Sequence, residues 1–486
     1  MKKVFISVIF FIVTICSISY SMSLSLMDCI EFARKNSPSA KKAKYDYDSR
    51  KYSFEAFSAD YYPQLQFSGT APGLIKAISP ITQGDGTKIN QSLFQYSSSA
   101  NLYLQQRIPF SGSVFSVSSS LVRNDNYIDA KHDYSWLSAP ITISLSQPLF
   151  KFNPMPWDRE IEGMRNSNND KLYVEDIEYM SMDITQKFFD LFIAEMDVKN
   201  QLKNVEVNDT LYNISKGRYQ VGKVAENDVL QSELTLLNVK NELDRDKLRY
   251  LRAIEDLKLA IGLQTNEDII LVPPDSIPEL NIDLVQAIEH AKRNRSDFTN
   301  YKIKELESQR KLNQAQSDNG FTATLNAGYG LNQSAATIDK AFLNPFDQES
   351  LSIGINIPVF QWGKGSALIE SALTEKKSSE TQIERDKINF EIDVKYQVLE
   401  FNQLQKLVKL QSKALDIAER RFEVTKNRFL IGKIEFTEFN NSLAAKNEAH
   451  RSYMQTLRDY WTAYYRMRLL SHYDFERDKI ISYNLK

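Results

Sequence analysis

The residue types best able to do chemistry here are four histidines, a lysine set between two glycines, and two cysteines. His132, His290, His450 and His472 are scattered with no metal-ligand spacing and read as surface or equatorial residues. Gly363-Lys364-Gly365-Ser366 follows an alternating segment and opens a helical one, which is where a phosphate loop would sit. Such a loop needs an upstream glycine, where Pro358 stands, and a Ser or Thr directly after the lysine, where Gly365 stands. The segment therefore reads as a tight strand-to-helix turn. No nucleophile elbow and no zinc-protease motif occurs in the sequence. The expectation is a protein that is not an enzyme and that uses no metal and no cofactor.

The N-terminus points to export. Lys2 and Lys3 precede an apolar run from Val4 to Ile15, and Ser19-Tyr20-Ser21 offers small residues at a cleavage site. That pattern is a secretory signal peptide over residues 1–21, too short for a membrane anchor. Cys16 follows Ile15, which is too bulky for a lipoprotein cleavage motif. Removal of the leader keeps one cysteine, Cys29, so no intrachain disulfide is expected, and a lone cysteine on an apolar helix face is a small core residue. The net charge of −2 attracts neither nucleic acid nor acidic lipid. Beyond the leader no run of 18 apolar residues occurs, so any membrane insertion must use strands.

The chain contains itself twice. Leu26, Ile30, Ala33 and Asn36 recur as Leu284, Ile288, Ala291 and Asn294, a shift of 258. Pro148-Leu149-Phe150 recurs as Pro358-Val359-Phe360 at a shift of 210, and Arg218 to Val224 recurs as Arg428 to Ile434 at the same shift. The first copy thus carries 48 residues more between these landmarks. Val394, Phe401, Val408, Leu415, Phe422 and Phe429 are spaced by seven, and their counterparts Ile184, Leu191, Val198, Val205, Tyr212 and Tyr219 are apolar or aromatic too. A sustained heptad seam marks long helices packed as coiled coils.

These patterns predict long helices over Trp157–Val221 and Lys364–Ile431, with return helices over Asp228–Ile261 and Glu438–Leu470. Lys446 interrupts the seam of the last one. Strands are predicted where apolar and small polar residues alternate, over Phe321–Asn332, Leu351–Pro358 and Ile141–Ser146. One apolar and one polar face suit a barrel strand between lipid and a wet lumen, although a soluble sheet has the same period. Too few strands are present to close a barrel in one chain, so oligomerisation is implied. The expected organisation is a signal peptide (1–21), a first repeat (22–263), a linker (264–282), a second repeat (283–472) and a C-terminal tail (473–486).

With Asn36-Ser37-Pro38, the Gln147-Pro148-Leu149-Phe150 exit and the paired turns Val221-Gly222 and Ile431-Gly432, the mature chain resembles the TolC family of outer-membrane efflux proteins. The resemblance implies a mixed membrane α/β fold: a trimeric transmembrane β-barrel of 12 strands continued by a long α-helical coiled-coil periplasmic tunnel, built from two internal structural repeats. It implies an outer-membrane channel subunit of a tripartite efflux or type I secretion system. Its partners would be a periplasmic adaptor (membrane fusion protein), an inner-membrane transporter and outer-membrane lipid, with no nucleic acid. Carried over residue by residue, Val221, Gly222, Lys223, Ile431, Gly432 and Lys433 correspond to adaptor-docking turns. Asp228, Glu438 and Asn441 correspond to the pore constriction, with Asn441 uncharged where the family has an aspartate. Ile434 stands where some members carry a basic residue that locks the closed state, which puts that lock in doubt here. The simpler reading of Asp228 and Glu438 is a helix N-terminal carboxylate stabilised by the dipole.

Two rivals compete: a periplasmic coiled-coil adaptor without a pore, and a secreted hydrolase with a helical domain. The 48 additional residues carry their own alternatives. Ser98–Leu104 and Ser113–Ser118, joined through Pro109-Phe110-Ser111-Gly112, alternate like strands, and the flanks Pro72–Gln95 and Arg123–Ser138 read as long polar loops. Either the hairpin adds two strands to the wall with its turn facing the periplasm, or it caps a 12-strand barrel from outside.

Overall fold

The computed structural model describes residues 22–82, 84–128, 131–263, 269–274, 277–431, 433–434 and 436–483. The signal-peptide reading and Gly432 fall outside the described residues. In chain order the elements are β1 (Met22–Ser25), α1 (Leu26–Asn36), α2 (Pro38–Ala59), β2 (Gln64–Thr82), β3 (Lys88–Ile108), β4 (Ser113–Ile128), β5 (Lys131–Leu149), α3 (Met155–Gln220) and α4 (Glu226–Ile261). After β6 (Ile269–Val272) come α5 (Leu284–Asn294), α6 (Ser296–Asp318), β7 (Thr322–Ala335), β8 (Phe346–Asn356), α7 (Lys364–Leu430), α8 (Phe436–Ser471), β9 (Tyr473–Asp474) and β10 (Lys479–Ile480). No described helix is long and apolar enough to cross a membrane.

The residues divide into two compact units, each drawn from separate stretches of sequence: Met1–Asp46, Lys171–Arg295 and Phe390–Lys486 form one, Tyr47–Asp170 and Ser296–Asn389 the other. The first is a helical unit whose core follows the heptad seams. Ile184, Leu191, Val394, Phe401 and Val408 are buried, as are Leu236, Leu243 and Leu257 on α4. Tyr219, at the end of the α3 seam, is exposed. Lys446 is accommodated because its ammonium lies 4.9 Å from the centre of the Phe422 ring. Cys29 is fully buried on α1, and burial pushes its thiol up to about 12.

Both short helices that open this pattern are capped at equivalent positions. Ser25 and Asp28 form a reciprocal capping box on α1, with Asp28 N–H donating to Ser25 Oγ at 3.2 Å and Ser25 N–H to Asp28 Oδ2 at 3.0 Å. Asp283 accepts the Gln286 N–H at 3.0 Å and caps α5. Gly262 ends α4 in the left-handed conformation (φ 78°), where a Cβ would lie 2.5 Å from the Asn36 carbonyl oxygen. That close approach explains the glycine, and it seats the Asn36-Ser37-Pro38 corner against α4. Within the 264–282 stretch, β6 pairs in parallel with β1, so part of this linker is a strand.

The carboxyl end is held by a charged cluster that sequence reasoning did not single out. Buried Arg468 donates to both carboxylate oxygens of Glu178 at 3.0 and 2.9 Å and to Asp474 at 2.5 Å. Tyr483 also donates to Glu178, and Arg34 donates to Tyr483 at 3.1 Å. Burial raises the Asp474 carboxyl, but the Arg468 charge and the Arg477 and Glu476 N–H groups outweigh it and hold the pKa below the ordinary range. His472, expected near the surface or equator, is buried beside this cluster, with Nε2 3.5 Å from Glu175.

The second unit contains one antiparallel six-stranded sheet, ordered β2-β3-β4-β5-β7-β8. The 48-residue addition enters this sheet: β3 and β4 pair along their length and sit between β2 and β5. It does not form a separate cap, and four strands per chain, as a 12-strand trimer requires, understates the sheet by two. The flanks read as long polar loops are strand as well. β2 runs to Thr82 and β3 starts at Lys88, while β4 runs to Ile128 and β5 starts at Lys131. A bulge between Thr70 and Gly73 shifts the alternation, and Pro72 and Pro80 mimic a loop. Pro72 lies inside the bulge, where no ladder hydrogen bond is required.

Candidate functional site: the sheet wall and the helical turns

Strand residues alternate faces, so the pairing register sorts the six strands into two surfaces. One face carries Leu65, Phe67, Leu102, Leu104, Phe115, Val117, Ile141, Ile143, Leu325, Leu351, Ile353 and Ile355. Most of these side chains are exposed, Phe67 to 70% and Leu351 to 75%, with Val117 and Leu325 half-buried. The other face carries hydroxyls, amides and glycines, with Ser116 and Ser144 in hydrogen-bond contact at 2.7 Å and Ser146 donating to Asn326 at 2.8 Å. A soluble sheet would cover its apolar face, whereas this unit covers neither.

Aromatic residues flank the apolar band at both ends. At one end Phe94, Tyr96, Tyr127, His132 and Tyr134 form a chain of ring contacts 4.5–6.0 Å between centroids. The Arg123 guanidinium lies 5.4 and 5.5 Å from the Tyr134 and Trp136 rings. At the other end, beside the helix termini of this unit, Phe150 meets Phe321 at 5.4 Å and Phe360 meets Trp362 at 4.6 Å. The Pro109–Gly112 turn belongs to this second rim. Gly112 adopts φ 71° and donates to Ile108 O, while Asn153 beside α3 donates to Pro109 O at 2.8 Å. Apolar height between two aromatic girdles is the pattern expected of a sheet that faces lipid. Gly363 (φ 82°) turns the chain into α7, the strand-to-helix turn expected in place of a phosphate loop.

The carried-over residues lie in the helical unit. Val221, Gly222 and Lys223 end α3 in a Schellman turn: Gly222 (φ 72°) donates to Tyr219 O and Lys223 to Arg218 O, both at 2.9 Å. Val221 is 67% exposed, and a Cβ at Gly222 would meet nothing within 4 Å, so the turn offers an open surface. Ile431 is exposed in the same way, and Lys433 donates to Arg428 O at 2.9 Å, the equivalent bond at the end of α7. Asp228 sits in the first turn of α4 and accepts the Ala225 N–H at 3.3 Å. Glu438 is the acidic residue in the first turn of α8. Glu438 and Asn441 are exposed, and their spacing of three puts them on one helix face. Ile434 is half-buried.

Residues 287–471 match the family described as outer membrane efflux protein. The second half of the chain is thus similar to the outer membrane efflux proteins. No curated protein matches it in sequence. The fold is nevertheless found in solved structures over nearly the whole length of the chain. It is similar to the Campylobacter jejuni CmeC outer membrane channel, with a TM-score of 0.65 and 12% identity over 93% of this chain and 88% of that one. It is similar to the Vibrio cholerae outer membrane protein VceC (TM-score 0.58, 15% identity, 92% of this chain and 95% of that one). It is also similar to the open state of the Neisseria gonorrhoeae MtrE outer membrane channel (TM-score 0.58, 13% identity, 92% and 88%). At these identities the likeness is one of fold. The protein belongs in the outer membrane, and a pore-free periplasmic adaptor leaves its exposed apolar sheet without an environment.

Proposed function

We infer that this protein is the channel subunit of a tripartite efflux or type I secretion system, a passive conduit from the periplasm to the exterior. The observation that carries this reading is the sheet: apolar and uncovered on one face, polar on the other, and ending in two free edges, β2 and β8. Lipid satisfies the first face and water the second. Open edges cannot face lipid, because unpaired N–H and C=O groups there have no partner. Three chains closing edge to edge meet that requirement, in keeping with the trimer that the TolC resemblance implies.

The helices would form a periplasmic tunnel, with the Val221-Gly222-Lys223 and Ile431-Gly432-Lys433 turns receiving a periplasmic adaptor that links to an inner-membrane transporter. Asp228, Glu438 and Asn441 would narrow that tunnel. Matching helices support the duplication: 66 and 67 residues for α3 and α7, 36 each for α4 and α8. A conduit of this kind has no catalytic step. Purified protein added to a planar bilayer should give discrete ohmic conductance steps. A protein that binds an adaptor yet never inserts or conducts would favour the pore-free reading.

A further inference from the structure

The sheet fixes how wide the channel is. β3 and β4 are paired to their neighbours along nearly all of their length, so they cannot leave the sheet without losing both ladders. Their apolar residues Leu102, Leu104, Phe115 and Val117 fall on the same face as Ile143 of β5 and Ile353 of β8. Their turn at Pro109–Gly112 lies with the helix termini, at the rim opposite the one a cap would occupy.

We propose that the barrel has 18 strands, six per chain, and that its charge-free lumen takes bulky hydrophilic cargo such as a partly folded polypeptide. This rests on the channel reading above. With strands about 4.8 Å apart and tilted about 40°, 18 strands enclose a backbone diameter of roughly 36 Å, against roughly 24 Å for 12. Inward side chains take roughly 10 Å of either figure. A helix is about 10–12 Å across, so the wider wall admits a two-helix hairpin where the narrower admits one helix. On the polar face, from Arg107 at one rim to Asp133 at the other, β3, β4 and β5 carry no charged side chain. Gly328, Gly330 and Gly354 continue that face on β7 and β8, and Cβ atoms at Gly328 and Gly330 would approach Ser350 Oγ and Thr142 Oγ1 to 2.7 and 2.8 Å. Such a lining neither sorts cargo by charge nor narrows the bore.

The test places single cysteines at Ile353, Val117 and Ser118 in a Cys29→Ser background, each carrying an environment-sensitive fluorophore, in trimers reconstituted into nanodiscs. The expected result is strong quenching of the Ile353 and Val117 labels by lipid-attached nitroxide, and of the Ser118 label by aqueous iodide instead. A Phe115→Cys variant repeats the Val117 position two residues away on the same face. Iodide quenching at both Val117 and Phe115, with Ile353 still lipid-quenched, would overturn the 18-strand wall and leave the channel reading standing. Failure of lipid quenching at Ile353 would overturn both. Neutral polyethylene glycols about 20 Å across should enter from the outer side of a planar bilayer, and a size limit near 13 Å would contradict the wider lumen.

Discussion

At the scale of single residues, the heaviest energetic commitment is Arg468 with Glu178 and Asp474. Removing one partner of a buried pair leaves an uncompensated charge, so Arg468→Met should destabilise the helical unit by about 3–5 kcal/mol, read as a fall in thermal midpoint. The Asp474 pKa is depressed in the folded protein from an ordinary 3.8. As pH falls the unfolded state therefore takes up the proton first, and stability present above about pH 4 is lost as pH drops through the folded value. The midpoint of Asp474→Asn should lie below wild type at pH 6 and converge with it at strongly acid pH. Equal midpoints at pH 6 would mean that the pair contributes nothing.

Glu438 is the second residue-scale case. A carboxylate about 10 Å from a pore axis in water contributes roughly 0.4 kcal/mol on a passing cation, and 0.1 M salt screens that about threefold. Three of them then bias permeation by roughly 0.5 kcal/mol, or about twofold. The same carboxylates repel an anion equally, so Glu438→Gln should lower the cation-to-anion permeability ratio about fourfold in a planar bilayer. No change in selectivity, conductance or cation block would leave it a helix-end carboxylate stabilised by the dipole.

At the scale of elements, the helices were legible and the strands only in part. Heptad spacing located α3, α4, α7 and α8 to within two residues at each end, because core packing in a coiled coil repeats with the sequence. β7, β8 and the inner part of β5 showed clean alternation. The outer parts of β2 through β5 did not, because bulges at Thr70/Gly73, Ser118/Ser120 and Ser138/Ile141 break the period and Pro80 and Pro140 look like turns. The Arg468 cluster was illegible for a different reason: Arg468 and Glu178 lie 290 residues apart, and nothing local to either announces the other.

The α3 turn carries an element-scale prediction. A side chain at Gly222 would clash with nothing but would strain a φ of 72°, at a cost of roughly 1–2 kcal/mol, too little to unfold long helices. Gly222→Leu combined with Gly432→Leu should therefore abolish adaptor cross-linking and export while trimers remain in the outer membrane. Undiminished export from the double variant would remove these turns from the docking surface.

At the scale of the whole molecule, the sequence carried the membrane reading through its signal-peptide-like N-terminal pattern, its long helices and its scarcity of strands. The number of strands in the sheet became legible only with the register, which joins β3 and β4 to both neighbours. The proposed trimer would close that sheet, since six strands with two open edges have no stable place in lipid. The direct measurement is the mass of the particle extracted from outer membranes in mild detergent. The account predicts three chains per particle. A stable, membrane-inserted particle of one chain would contradict it.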